Sequence, residues 1–158
     1  MAHDPIHDED IAQVGRLTAE AASALIRGDI YGYLTLIRHA DDYTLLPPFG
    51  GEPRRGFDSS DEALDATARF FRGGEADVEV VESYASGDLV VLVVIERQHG
   101  EVGDLPDQDW SLRVTLVFRR DRGEWWLAHR HATPLVHPIT FEQAAALARG
   151  TLAADEDS

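Results

Sequence analysis

The pattern of apolar and polar positions divides the chain into a helical first part and a strand-rich second part. Over residues 8–27, apolar or small residues recur at Ile11, Val14, Thr18, Ala21 and Leu25, the spacing of one helix face. Gly28 ends that helix, and Asp29 can cap a short second one carrying Ile30, Tyr33, Leu34 and Ile37 and stopping near His39. Residues 41–56, DDYTLLPPFGGEPRRG, predict a strand broken at Pro47 and Pro48, a turn at Gly50 and Gly51, and a short return strand. Ser59 and Glu62 have the spacing of a capping box and open a third helix with Leu64, Thr67, Ala68 and Phe71 inward, closed by Gly73 and Gly74.

From residue 75 the period changes to two. EADVEVVESYA, LVVLVVIERQHG, DWSLRVTLVFRR and EWWLAHRHATPL read as four strands, with turns at 86–88 and 121–123 and a polar loop at 100–108. Helices first and a meander afterwards predict an α+β fold with an antiparallel or mixed sheet wrapped on the N-terminal helices. Thr140 and Gln143 form a second capping box and predict an added C-terminal helix before the acidic ADEDS. The expected division is a flexible N-terminus at 1–7, one domain at 8–137, and a C-terminal helix with acidic tail at 138–158.

Two features of the meander bear on function. The run LVVLVVI at 89–95 is apolar at successive positions, so both faces of its strand need cover. Helices supply one side; a second copy of the chain is the expected cover for the other. In GEWWLAHRHATPL, residues 123–135, strict alternation puts His129 and His131 on one face and Arg130 on the opposite one. Folding the last hairpin about Arg122 sets Arg130 near Val114, and the preceding pair sets Glu96 near Trp110 to Leu112. Glu96, Trp110, Leu112 and Arg130 therefore gather at one end of the sheet.

Composition narrows the partners. The chain has 158 residues, enough for one sizeable core, and a net charge of −15, which opposes binding to nucleic acid or an anionic membrane. All 14 basic residues are Arg, and the absence of Cys removes disulfides, thiolate zinc sites and cysteine nucleophiles together. The opening MAHDPIHDED lacks the features of a signal or transit peptide, and the longest apolar run is too short to span a bilayer. A cytoplasmic bacterial protein is the expectation.

RGDIYGYLTLI, LLPPFGGEPRRG and the closing VFRRDRGEWWLAHRHATPL, in that order, resemble the nuclear transport factor 2-like superfamily, in its SnoaL-like and ketosteroid isomerase-like branch, over about residues 8–135. The resemblance implies a cone-shaped curved sheet enclosing an apolar pocket, with homodimers common through the convex face. It also implies positions for a steroid isomerase's catalytic groups, and these fall at Pro47, Ala21 and Leu116. None of the three can move or donate a proton, so that mechanism is not expected. By the same likeness the pocket side of the fifth strand carries Leu112, Val114, Leu116 and Phe118. The last strand contributes Trp126, Ala128, Arg130 and Ala132.

The candidate chemistry is sparse. Arg130 offers a planar fork of donors to an anion, or pairs with Glu96 as a structural bridge. Glu96, at the end of an apolar strand, is the candidate general base. Tyr43, Trp110, Leu116, Phe118 and Trp126 are the further candidates for ligand contact, and His99 lies at a loop mouth. The H-x-H pair lacks an acidic third ligand on its neighbouring strand, where Arg113, Thr115 and Arg119 stand, so no metal is expected, nor any cofactor. The expected function is binding of a small apolar or anionic molecule, or isomerase- or cyclase-like catalysis upon it. The alternative is a non-catalytic dimerisation module whose interior is filled by Leu112, Val114, Leu116, Phe118 and Trp126.

Overall fold

The computed structural model describes residues 4–151, and the acidic tail read from the sequence lies outside them. Helix α1 runs Asp8–Ile26 and α2 runs Ile30–Leu36, with Asp29 accepting the Gly32 N–H at 2.9 Å as its cap. Between them Gly28 has φ +79, and a Cβ there would meet the Phe71 carbonyl oxygen at 2.3 Å; only glycine fits the turn and the approach. Strand β1, Arg38–Leu46, begins three residues earlier than its polar opening suggests, and β2 is the short return strand Arg54–Arg55. Helix α3, Asp61–Phe70, is capped by Ser60, one residue past the expected cap, with its Oγ accepting from Ala63 at 3.2 Å. Gly73 and Gly74 do not close the helix. They sit inside β3, Phe71–Ser86, which starts as α3 ends.

Strand β4, Leu89–Val102, continues through the first third of the expected loop, and β5, Gln108–Asp109, pairs back upon it. Strands β6, Leu112–Asp121, and β7, Glu124–Thr133, form a hairpin whose two turn residues, Arg122 and Gly123, both have positive φ, as a two-residue turn matching strand twist requires. Helix α4, Phe141–Arg149, follows with the expected capping box, Thr140 to Gln143.

The sheet is mixed, in the order β2-β1-β7-β6-β4-β3, with β5 beside β4; only β1 and β7 run parallel. The α+β class holds, but the expected cone does not. Among the described residues no pairing joins β2 to β3, so the sheet is open and is not strongly curled or closed on itself. Its inner face is enclosed instead by the helices and the segment around β2. The core lies on that face, from Val14 and Ala21 of α1 to Val90, Leu92 and Val94 of β4, Val114, Leu116 and Phe118 of β6, and Trp125 and Leu127 of β7.

The hairpin register corrects the sequence reading. Asp121 pairs with Glu124 and Phe118 with Leu127, but Val117 pairs with His129, leaving Ala128 as an extra residue in a β-bulge. Beyond it Leu116 faces Arg130 and Val114 faces Ala132, two positions from the expected partners. The bulge shifts the phase of β7 along its length. Arg130 and Ala132 lie on the inner face as expected, while in the first half Trp125 and Leu127 take the inward places assigned to Trp126 and Ala128.

Candidate functional site: a cavity between sheet and helices

Alternation along β4 sends Val90, Leu92, Val94 and Glu96 inward. Glu96 is the one buried carboxylate among the described residues, 3% exposed. Its neighbour across β6 is Leu112, as expected. Arg130 reaches it from β7, donating Nη1–H to Oε2 at 2.7 Å and Nη2–H to Oε1 at 2.9 Å. This is a fork-to-fork pair in which each carboxylate oxygen takes one donor. Burial works to lower the Arg130 pKa, but the charge and hydrogen bonds of Glu96 outweigh it and hold the guanidinium above its usual range.

Two tyrosines share this region. Tyr43, inward on β1, is buried, and burial raises its pKa; the charges of Arg130 and Arg54 work in the opposite direction. Tyr33, on α2, has its pKa raised chiefly by burial and then by the nearby Tyr43. Its hydroxyl lies 3.0 Å from Nε2 of His39, whose ring stacks on Phe57 at 3.8 Å and meets Tyr43 edge-on at 4.7 Å. Burial pushes His39 down to about 4, so at neutral pH the imidazole is uncharged and Nε2 can accept the phenol proton. Sequence reading took Tyr33 only as part of the helix face. The available signal was a tyrosine six residues before a histidine across a helix end, which specifies nothing without the fold.

These groups border a cavity of about 1060 Å³. Tyr33, Tyr43, Glu96 and Arg130 line it together with Ile30, Ile37, Leu64, Leu112, Leu116, Phe118 and Leu127. Leu112, Leu116 and Phe118 wall the space without filling it. Trp110 also lines it, edge-to-face with Phe49 at 5.7 Å, and its indole N–H has no hydrogen-bond partner among the described residues. Trp126 is not in the lining. The bulge turns it to the outer face, where the Arg38 guanidinium stands 5.8 Å from its ring. Ala21, Pro47 and Leu116, the positions matched to steroid isomerase catalytic groups, all border the cavity, and none of the three side chains can move or donate a proton.

The two histidines of the H-x-H pair face away. His129 Nδ1 lies 2.7 Å from the Thr44 hydroxyl, and His131 is exposed on the outer side. His99 also stands outside the cavity, with Nδ1 2.9 Å from Asp107 and Nε2 3.5 Å from Glu75. Asp107, then Glu75, raises its pKa. None of the helices described is long and apolar enough to cross a membrane.

Residues 14–137 match the SnoaL-like domain family. Among solved structures, a candidate dehydratase of the nuclear transport factor 2-like family from Streptomyces avermitilis is similar at 22% identity and TM-score 0.62, over 82% of this chain and 99% of that one. A nuclear transport factor 2-like protein of unknown function from Pseudomonas putida gives 21% and 0.63, over 87% and 93%. A candidate scytalone dehydratase from Novosphingobium aromaticivorans gives 13% and 0.64, over 78% and 83%. At such identities the likeness carries the fold alone. No curated protein matches the chain. The family match over most of the chain makes this protein a member of the SnoaL-like domain family, with a fold similar to that of nuclear transport factor 2-like proteins.

Proposed function

We propose that the protein binds a small, largely apolar molecule in the cavity and carries out isomerase- or cyclase-like proton transfer on it without a cofactor. The observation behind this reading is a mainly apolar cavity of about 1060 Å³, a size suited to a polycyclic ligand, with Tyr33, Tyr43, Glu96 and Arg130 among its polar lining. A phenol can donate a hydrogen bond to a ligand carbonyl and stabilise the oxygen as charge develops there. Glu96 is the base, taking a proton from the carbon beside that carbonyl and returning it at another carbon. For this step one of its two bonds to Arg130 opens toward the ligand, while the other holds the carboxylate in place. The phenol that donates to the carbonyl is Tyr43, because the Tyr33 hydroxyl already donates its proton to His39 Nε2.

The reading is tested on the ligand and on the chemistry separately. Leu116→Trp places an indole in the cavity and is expected to weaken binding of polycyclic ketones by about tenfold or more. Fluorescence titration reads this, with circular dichroism confirming the fold. Undiminished binding would move the site elsewhere. In deuterated water the wild type is expected to speed exchange of the α-hydrogens of a bound ketone, followed by NMR, and Glu96→Gln to abolish the acceleration. Exchange that persists in Glu96→Gln removes the base assignment.

A homodimer through the outer sheet face accompanies this reading. The apolar stripe there comprises Tyr84, Val91, Val93, Ile95 and Val117, cross-strand neighbours on β3, β4 and β6. Tyr84 is 61% exposed in the isolated chain. An apolar stripe flanked by charged and polar side chains is the composition of an interface. Val93→Arg is expected to convert a dimer into a monomer in sedimentation velocity. A wild-type chain that sediments as a monomer at tens of micromolar, on the order of a weak dimer's Kd, would dismiss the dimer.

A further inference from the structure

We infer that the ligand of this cavity carries a carboxylate, held at the mouth by Arg54, with its apolar body inside; this rests on the cavity being the ligand site. The β1–β2 register sets Arg54 opposite Leu45, and both border the cavity, so Arg54 stands on the inner face at the sheet edge. Arg55 also borders the cavity, but it pairs with Thr44, which does not line it and whose hydroxyl is engaged with His129. The Arg54 charge is felt by the Tyr43 hydroxyl, which ties the mouth electrostatically to the interior.

The position of this cation, more than its lack of a partner, sets it apart. Among the described residues, seven of the 14 arginines lie within ion-pair distance of a carboxylate; of the other seven, only Arg54 and Arg55 border this cavity. The acids nearby in sequence are otherwise placed: Asp58, at the cavity border, accepts the Ser60 N–H at 3.0 Å, and Glu52 is exposed in the preceding loop. Arg130 cannot serve as the anion site on equal terms. Glu96 already meets both ends of its fork, and a second carboxylate there would be set beside the first. Arg54 presents a fork with no carboxylate upon it, the geometry that receives one carboxylate in two hydrogen bonds. Phe49, 58% exposed and bordering the same cavity, offers the ligand's apolar part a path inward against Trp110. An acid with an apolar body satisfies both.

The test is displacement of the neutral dye Nile red from the full chain by decanoate and by decan-1-ol, both below their aggregation limits. For the wild type, decanoate is expected to displace the dye at about tenfold lower concentration than the alcohol, despite the overall charge of −15. Salt is expected to reduce that preference. Arg54→Gln should erase it and leave the decan-1-ol curve where it was, while Arg149→Gln, on α4 and outside the cavity lining, should keep it. Equal displacement by acid and alcohol in the wild type, or a preference that survives Arg54→Gln, overturns the inference and leaves the cavity reading standing. Displacement by neither compound removes the cavity reading and this inference with it.

Discussion

Arg130→Met is expected to lower the unfolding free energy by about 3 kcal/mol, because it leaves the Glu96 carboxylate buried with no counter-charge. The value is set at the low end for a broken buried pair. The Arg130 side chain is 18% exposed, so water in the cavity reaches it, while that of Glu96 is 5% exposed. Urea unfolding followed by tryptophan fluorescence gives the number, provided the m-value is unchanged. The double variant Glu96→Leu with Arg130→Met should recover most of the loss, since a pair replaced together leaves no orphaned charge. A single variant within about 0.5 kcal/mol of the wild type, the ordinary scatter of a surface change, would mean that the pair is effectively solvated and contributes function without stability.

The second large effect is acid sensitivity centred on His39. In the unfolded chain this imidazole takes up a proton near pH 6.5, and in the folded chain only near about 4, because burial disfavours the charged ring. Between those values the unfolded state binds more protons, so stability falls as pH falls. The His39 contribution is fully present above pH 6.5 and is lost as pH drops through about 4. The shift corresponds to roughly 3 kcal/mol. Carboxylates titrate over part of the same range, so the informative quantity is the difference between the wild type and His39→Gln, which keeps an acceptor for Tyr33 and cannot titrate. That difference is expected to narrow steadily from pH 7 to 4. A difference independent of pH would show that the His39 ring is hydrated in the folded state.

What could be read from the sequence was mainly what depends on local pattern. The helix at 8–26, the Asp29 cap, the Thr140 capping box and the α+β order each rest on spacings within a few residues. The placing of Glu96 beside Leu112 was legible from the antiparallel pairing of consecutive strands; its burial was not, because an apolar run at successive positions does not tell which face turns inward. The phase of β7 was only half legible. One bulge residue, Ala128, is invisible to a period-two reading, and it exchanges Trp126 for Trp125 while leaving Arg130 inward. The open sheet was missed for a different reason: the cone came from family likeness, and nothing in a single strand's pattern states how far a sheet curls. Tyr33 and His39 were missed as a pair because their meeting depends on how α2 turns into β1. Tyr43 and Arg130 come together only through a strand pairing between distant parts of the chain.

That pairing has a kinetic consequence. The sheet strands from β3 onward find their partners among near neighbours in the chain, so the meander can assemble from short loops. Strand β1 must wait for β7: Thr44 and His129, which meet across this seam, are 85 residues apart. Closing so long a loop is slow and gains no contact until it is complete. The meander is therefore the early structure, and the docking of β1 is the late step that brings His39 and Tyr43 beside Arg130. A chain still emerging during synthesis cannot take that step before residue 133 is available. Damage to β1 leaves a sheet that has formed and a cavity that lacks a wall.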